Sequence, residues 1–317
     1  MFEKEFKTLA YIIKNSQSVL LFAHSSPDGD TAGSTLALYT YLKNIGKKTD
    51  IACIDPFPAY LEKLTDIRFE FPAHLQLEKY DSVIACDSVE RGFQSIKSGF
   101  PEKTVTTIID HHPDITVSAD VIIIDAEKSS TCEIIFDFFE NQEIAITKDM
   151  ATYLLLGILS DTGNFQHANT STRVMETASV LMKKGASSSK IIDATFTNKK
   201  LSTLKLWGKA FEKAKIHNVT KMIVTVLTKK DIEECGATGE DMGQVASILN
   251  TVPGTKFSLV LSERDNGIIK GSLRSEEYKN MDVSEIAHLF GGGGHRLASG
   301  FEVKGKIVET KDGWEIA

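Results

Sequence analysis

Short runs of consecutive apolar residues alternate, over the first half of the chain, with stretches whose apolar positions recur every three or four residues. The runs Val19–Ala23, Lys48–Ile54, Ser82–Cys86, Val105–Ile109 and Val121–Ile124 predict strands. Most of them are apolar throughout, as in strands covered on both faces. The helical period predicts helices over Thr31–Asn44, Thr131–Glu140, Thr147–Leu159 and Thr172–Lys184, the first stopping near Gly46. Strands that alternate with helices in this way predict a largely parallel sheet flanked by helices. Gly185 and the polar stretch behind it end the last of these helices, and Lys199–Ala214 predicts a bridging helix. From about Lys221 the pattern changes. Met222–Leu227, Thr255–Ser262, Ile268–Leu273 and Ala298–Val303 predict strands, with helices near Asp241–Leu249 and Val283–Leu289. The expected architecture is α/β: an N-terminal domain over 1–186, a helical linker over 187–215, and a smaller α/β domain with a mixed sheet over 216–317.

Bulk composition narrows the function classes. The chain has 317 residues, 42% apolar and 25% charged, an ordinary globular balance. Its net charge of −7 speaks against gripping long duplexes through a basic surface. It leaves room for short nucleotides or a metal-rich site, because bound cations add positive charge. No apolar run approaches a membrane span, and the N-terminal M-F-E-K-E-F-K-T-L-A has two acids in place of a signal peptide's apolar core. Cys53, Cys86, Cys132 and Cys235 are scattered and form no C-x-x-C, which fits a reducing cytoplasm.

The titratable residues fall where ligands bind in open parallel sheets, beyond the carboxyl ends of strands. The first strand is followed by H-S-S-P-D-G-D, with His24, Asp28 and Asp30. The third is followed by Asp87, and the fourth by Asp110, His111 and His112, with Asp114 close behind. Asp161 stands in G-I-L-S-D-T-G-N-F, where a helical pattern ends. Any one such aspartate is ordinarily a helix cap. Several converging without partners would repel one another and be costly to desolvate. A pair of divalent cations resolves that cost. Oxygen and imidazole donors together suit Mn²⁺, with Mg²⁺, Fe²⁺ or Co²⁺ as substitutes. Such a pair can bind a phosphoryl oxygen and ionise a water for in-line attack.

These segments, H-S-S-P-D-G-D-T-A-G-S, C-D-S, D-H-H and G-I-L-S-D-T-G-N-F, resemble, in order, the four motifs of the DHH phosphoesterase superfamily. G-S-L-R-S and G-G-G-G-H-R-L-A-S-G-F resemble its DHH-associated substrate-binding domain. The likeness covers nearly the whole chain and is closest to the stand-alone bifunctional oligoribonuclease and pAp phosphatase (NrnA-like) group. It implies that His24 and Asp28 hold one Mn²⁺ and that Asp30 and His111 hold another, with Asp87 bridging and Asp161 completing the set. Asp110 would orient a histidine. His112 would face the scissile phosphate and stabilise the transition state or protonate the leaving oxygen. The resemblance also implies a hydrolase, with dimerisation a family expectation. Its substrates would be short RNA of two to five nucleotides, and pAp.

In the second domain, the glycines Gly291 to Gly294 let backbone N–H groups approach a phosphate, although glycines alone equally make a helix stop. His295 and Arg296 beside them favour an anion site, and Arg274 with Ser275 offers a fork for a terminal phosphate. Gly292, Gly293 and Gly294 are therefore expected substrate contacts with His295, Arg296, Arg274 and Ser275. Arg91 is read equally as a phosphate contact or a surface ion pair, Arg173 as structural, and Asn164, Phe165 and His167 as lining a nucleotide path. Competing readings are a cyclic-di-AMP or pApA phosphodiesterase, which would share the catalytic residues, and a non-catalytic nucleotide-binding regulatory protein. The glycine loop speaks against a family II pyrophosphatase, and a long-strand exonuclease would need added nucleic-acid-binding domains.

Overall fold

A computed structural model describes residues 2–113, 115–195, 199–242, 244–310 and 313–317. Asp114 and position 243, the latter inside an expected helix, lie outside the described residues. The chain divides into two compact units, Met1–Asn198 and Lys199–Ala317.

The first unit runs α1 (Glu3–Asn15), β1 (Ser18–Ala23), α2 (Gly29–Asn44), β2 (Lys48–Ala52), β3 (Ser82–Cys86), α3 (Phe93–Lys97), β4 (Val105–Asp110), β5 (Val121–Ile124), α4 (Thr131–Asn141), α5 (Lys148–Asp161), α6 (Thr172–Lys183) and α7 (Ser188–Thr195). Its five strands form one sheet in the order β2-β1-β3-β4-β5, parallel throughout. Every residue of β1 and β3 is buried, which is why these runs show no polar alternation. The side chains still alternate between faces. Val19, Leu21, Ile84, Cys86 and Ile109 pack into one core with α2, α4 and α5, while Leu20, Phe22, Val83 and Ile108 pack with Phe93 into another. Each fully buried Leu, Ile or Phe contributes about 1.5–3 kcal/mol.

Two features of this sheet place the site. The chain leaves β1 for β2 on one side and returns to β3 on the other, so a topological switch point opens between β1 and β3. The register pairs Ala23 with Cys86 and Cys86 with Ile109. The next residues, His24, Asp87 and Asp110, therefore stand side by side at the carboxyl edge. Asp28 caps α2, its side chain accepting from the backbone N–H groups of Asp30 and Thr31, and Ser130, Thr147 and Ser171 cap α4, α5 and α6.

The second unit runs α8 (Leu201–Glu212), β6 (Lys215–Ile216), β7 (Met222–Leu227), α9 (Lys229–Glu234), α10 (Val245–Asn250), β8 (Phe257–Arg264), β9 (Ile268–Arg274), α11 (Val283–Leu289), β10 (Gly293–His295), β11 (Ala298–Lys304), β12 (Ile307–Glu309) and β13 (Trp314–Ile316). Six strands form a mixed sheet, order β10-β11-β9-β8-β7-β6, in which β7 and β8 run parallel and the other neighbours antiparallel. Much of the expected linker 187–215 folds into the units themselves. Ile191 of α7 joins the first unit's core, and Leu206 and Ala210 of α8 join a core of the second. Residues 196–198 lie outside the described residues. Among the described residues, no helix is long and apolar enough to cross a membrane.

Candidate metal centre

The centre is built at the carboxyl edge of the parallel sheet. His24, immediately beyond β1, is fully buried. Its Nδ1 lies 2.6 Å from the Ser25 carbonyl, the geometry of an Nδ1–H donor. Its Nε2 faces Asp87 Oδ2 at 3.3 Å and Asp28 Oδ2 at 3.8 Å. His111, beyond β4, repeats the arrangement. Its Nδ1 faces the Lys128 carbonyl at 3.4 Å. Its Nε2 faces Asp161 Oδ2 at 3.1 Å, Asp87 Oδ1 at 3.8 Å and Asp30 Oδ2 at 3.9 Å. Metal-binding histidines commonly give their second nitrogen to a carbonyl in this way, which fixes tautomer and ring orientation.

Asp87 is the shared member. One of its oxygens faces the His24 and Asp28 side, the other the His111 side. Its φ of 58° and that of Ser88, 40°, put two consecutive non-glycine residues in the left-handed region, at roughly 1–2 kcal/mol per residue. The turn is held by the Asp87 N–H donating to the Ile109 carbonyl at 3.0 Å and by Thr31 Oγ1 donating to Asp87 Oδ2 at 2.5 Å. Asp30 is fully buried and accepts at both oxygens from the first turn of α4: Thr131 N–H at 2.7 Å and Cys132 N–H at 2.9 Å. Asp161 ends α5, where Gly163, Asn164 and Phe165 all take positive φ and turn the chain sharply.

The electrostatics explain what the cluster lacks. Burial raises the Asp30 carboxyl well above its ordinary range, and Asp161 and Asp87 add to the rise. Burial, with Asp28 and Asp87, outweighs His111 and pushes Asp161 up to about 6. At His24 burial opposes the charge, yet Asp28 and Asp87 outweigh it and push the imidazole up to about 10. Protein groups alone thus leave this negative cluster holding protons it would otherwise release. Two buried atoms, His24 Nε2 and Asp87 Oδ1, make no hydrogen bond. Groups offering a ligand atom within 4.8 Å of one another include His24, Asp28 and Asp87, and also Asp30, Asp87 and His111. Imidazole nitrogen and carboxylate oxygen donors, buried except at the exposed Asp28 and the half-buried Asp161 and short of positive charge, fit a pair of divalent cations.

Asp110 and His112 form a second arrangement at the rim. Asp110 is fully buried. Its Oδ1 accepts from His112 N–H at 2.9 Å and faces His112 Nδ1 at 2.8 Å, while its Oδ2 accepts from Val89 N–H at 3.2 Å. The His112 ring is thereby pinned by Nδ1, with Nε2 beside Ser88 Oγ at 3.4 Å.

Arg91 is exposed. Its carbonyl accepts from Ser25 N–H at 2.9 Å and so ties the β1 turn to the β3 turn. Arg173 pairs with Asp137 at 2.9 Å. His167 Nδ1 faces the Asp161 carbonyl at 3.0 Å.

In the second unit the glycine run is split between two local jobs. Gly291, at φ 73°, and Gly292 close α11, donating to the carbonyls of His288 and Ala287. Gly293 to His295 then pair with β11, where a Cβ on Gly292 would lie 2.1 Å from the Gly300 carbonyl and one on Gly294 2.6 Å from that of Ala298. Arg296 reaches Asn280 Oδ1 at 3.2 Å and Glu277 at 3.5 Å. Arg274 Nη1 donates to the Leu273 carbonyl at 2.8 Å, and the buried Ser275 hydroxyl to that of Lys256 at 2.9 Å.

Sequence reasoning passed over several residues that shape the centre: Ser88, Asn169 and the turn 128–133. The pattern S-T-C-E at 130–133, a serine three residues ahead of a glutamate, is a readable signal for the α4 start. Nothing in sequence says that this start meets Asp30.

Both halves of the chain match known domain families. Residues 18–158 match the DHH family, N-terminal domain, and residues 219–312 match the DHHA1 domain. A protein of Thermus thermophilus named bifunctional oligoribonuclease and PAP phosphatase NrnA is 29% identical over 304 residues, covering 95% of this chain and 89% of its own. Among solved structures, an exopolyphosphatase-related protein from Bacteroides fragilis superposes with a TM-score of 0.87 at 24% identity, covering 96% of this chain and 92% of its own. RecJ from Thermus thermophilus, in complex with Mn²⁺, gives a TM-score of 0.55 at 14% identity, over 95% of this chain and 51% of its own. The chain therefore belongs to the proteins that join a DHH family N-terminal domain to a DHHA1 domain.

Proposed function

We propose that this protein is a Mn²⁺-dependent phosphoesterase that hydrolyses short oligoribonucleotides to mononucleotides and pAp to AMP. The observation that carries the reading is the division of Asp87: one oxygen turned to His24 and Asp28, the other to His111, which Asp30 and Asp161 also face. His24, Asp28 and Asp87 would hold one cation, and Asp30, Asp87, His111 and Asp161 the other. Such a pair, when bound, supplies Lewis acidity toward a phosphoryl oxygen and a nucleophile formed from water at neutral pH.

The remaining work falls to the chain's own residues. Asp110 commits His112 Nδ1, so the proton that His112 exchanges with a substrate sits on Nε2. That ring is 26% exposed, enough to meet the leaving oxygen of a bound phosphate ester. Arg274, Ser275, Gly292 to Gly294, His295 and Arg296 are proposed to take the substrate's terminal phosphate, and Arg91 a further phosphate oxygen. The net charge of −7 gives little reach toward long polymers and favours short substrates. The name of the Thermus thermophilus relative supports both activities, and the Mn²⁺ of RecJ supports the ion.

A substrate panel with Mn²⁺ tests the reading, with pAp, short RNA, short DNA, cyclic di-AMP and pyrophosphate as substrates and products separated by chromatography. AMP with inorganic phosphate from pAp, and mononucleotides from short RNA, are expected. Faster turnover of cyclic di-AMP would transfer the assignment to a cyclic-dinucleotide phosphodiesterase. Binding without turnover of any member would refute catalysis.

A further inference from the structure

The turn between β5 and α4 reaches three of the candidates on the His111 side: His111 and Asp30 directly, and Asp161 through Asn169. The Lys128 carbonyl faces His111 Nδ1 at 3.4 Å. The Ser129 carbonyl accepts from Asn169 Nδ2 at 3.3 Å, and the same amide donates to the Asp161 carbonyl at 3.3 Å. Thr131 and Cys132 give their N–H groups to the two oxygens of Asp30. Asp30, His111 and Asp161 come from α2, from the end of β4 and from α5, far apart in sequence. One short turn braces the first two directly and the third through Asn169. No such brace from this turn reaches His24 or Asp28 among the described contacts; His24 leans on Ser25, and Asp28 on its own helix start.

The turn is locked from behind. Glu133, 2% exposed, accepts at Oε2 from Ser129 N–H and Ser129 Oγ–H, each at 3.0 Å. Its Oε1 accepts from Lys128 Nζ at 3.1 Å, and that ammonium also pairs with Asp137 at 2.5 Å. Glu133 N–H in turn donates to Ser130 Oγ at 3.3 Å. A carboxylate is required at this point because every group facing it is a donor, and an amide would present an N–H to one of them. Groups that hold metal ligands from behind typically change metal affinity by about 10- to 100-fold when mutated.

We infer that Glu133 is a positioning residue that acts through the 128–132 turn on one cation of the pair alone, the one assigned to Asp30, His111 and Asp161. The inference rests on the two-cation reading above. Asn169 acts on the same cation from the other side, strapping Ser129 to Asp161.

The test is a Mn²⁺ titration of the full chain by calorimetry, with free Mn²⁺ followed by electron paramagnetic resonance. Wild-type protein should bind two ions per chain. Glu133→Gln should weaken one class of site about 10- to 100-fold and leave the other unchanged. Combining it with His24→Ala, which removes the other class, should abolish tight binding. Should Glu133→Gln fold poorly, Asn169→Ala, changed at an exposed side chain, should weaken the same class. If both classes weaken together with a fall in Tm, or neither weakens in either variant, the inference is overturned and the two-cation reading stands. If the wild type binds fewer than two ions, the reading itself fails and the inference with it.

Discussion

Replacing Gly33 by alanine should test whether the crossing of α2 and α5 sets the geometry of the centre. Alanine is the better helix former by about 1 kcal/mol, so propensity alone predicts a more stable protein. The structure predicts the reverse. A Cβ on Gly33 would lie 2.3 Å from the Tyr153 carbonyl oxygen and 3.0 Å from both Gly157 N and Cys132 Sγ, where ordinary contact begins at 3.4 Å. The closest obstacle is backbone and cannot rotate aside, so α5 must retreat by about 1 Å, the difference between 3.4 and 2.3 Å. Overpacking of this kind costs about 1–3 kcal/mol, and its upper end less the gain in propensity leaves a net loss of about 2 kcal/mol. Because α2 carries Asp30 and α5 carries Asp161, the same retreat pulls two ligand candidates apart. A misplacement of about 1 Å is worth about 100-fold in rate. Thermal unfolding without cations and Mn²⁺-dependent pAp hydrolysis check the two halves of the prediction. The control is Gly208→Ala in α8, where an added Cβ meets nothing within 4 Å; it should gain about 1 kcal/mol and leave activity unchanged. If Gly33→Ala proves as stable as Gly208→Ala with unaltered turnover, the close-contact reasoning is wrong.

Three further outcomes are expected. Asp110→Asn should lower kcat by about 10²- to 10⁴-fold, the usual worth of a positioned acid or base, with an unchanged circular dichroism spectrum; full turnover would remove Asp110 from the orientation of His112. Mn²⁺ uptake should release protons, because His24, raised to about 10 by Asp28 and Asp87 against its burial, is protonated at pH 7.5 and must free its Nε2. Affinity should therefore rise with pH toward 10 and fall more steeply below about 6, where Asp161 takes up a proton; calorimetric heats independent of buffer ionisation would contradict this. At Asp231, burial opposes ionisation, but Lys213 at 2.6 Å and the Thr228 N–H and hydroxyl outweigh it and hold the carboxyl below its ordinary 3.8. That stabilisation is present above the ordinary value and lost as pH falls through the depressed one. Asp231→Asn should cost about 2 kcal/mol at neutral pH and shrink the acid-dependent loss seen in urea titrations.

The sequence by itself was enough for the parallel sheet and for the titratable residues placed at its edge. Runs such as Val19–Ala23 and Ser82–Cys86 are apolar at every position or nearly so, and only strands buried on both faces tolerate that. His24, Asp87 and Asp110 were legible because each directly follows such a run, and the strand register then sets them side by side. Less was legible where local signals were weak or had two uses. The helix Glu3–Asn15 went unread, and Ser188–Thr195 was read only as part of a helical linker, because its serines look like a loop. The glycines from Gly291 onward carried two readings, helix stop and anion loop, and their contacts along the chain show the first together with a strand pairing.

Only the tertiary structure decided how the ligand candidates are sorted. Which oxygen of Asp87 faces which histidine depends on a left-handed turn that no residue type at 87 or 88 announces. That Glu133 stands behind Asp30, His111 and Asp161 depends on α4 starting against α2, a contact 101 residues apart in sequence between Asp30 and Thr131. Hydrophobic periodicity is local and survives in the order of residues. The direction of a hydrogen bond between distant segments does not, because it exists only once packing has brought donor and acceptor together.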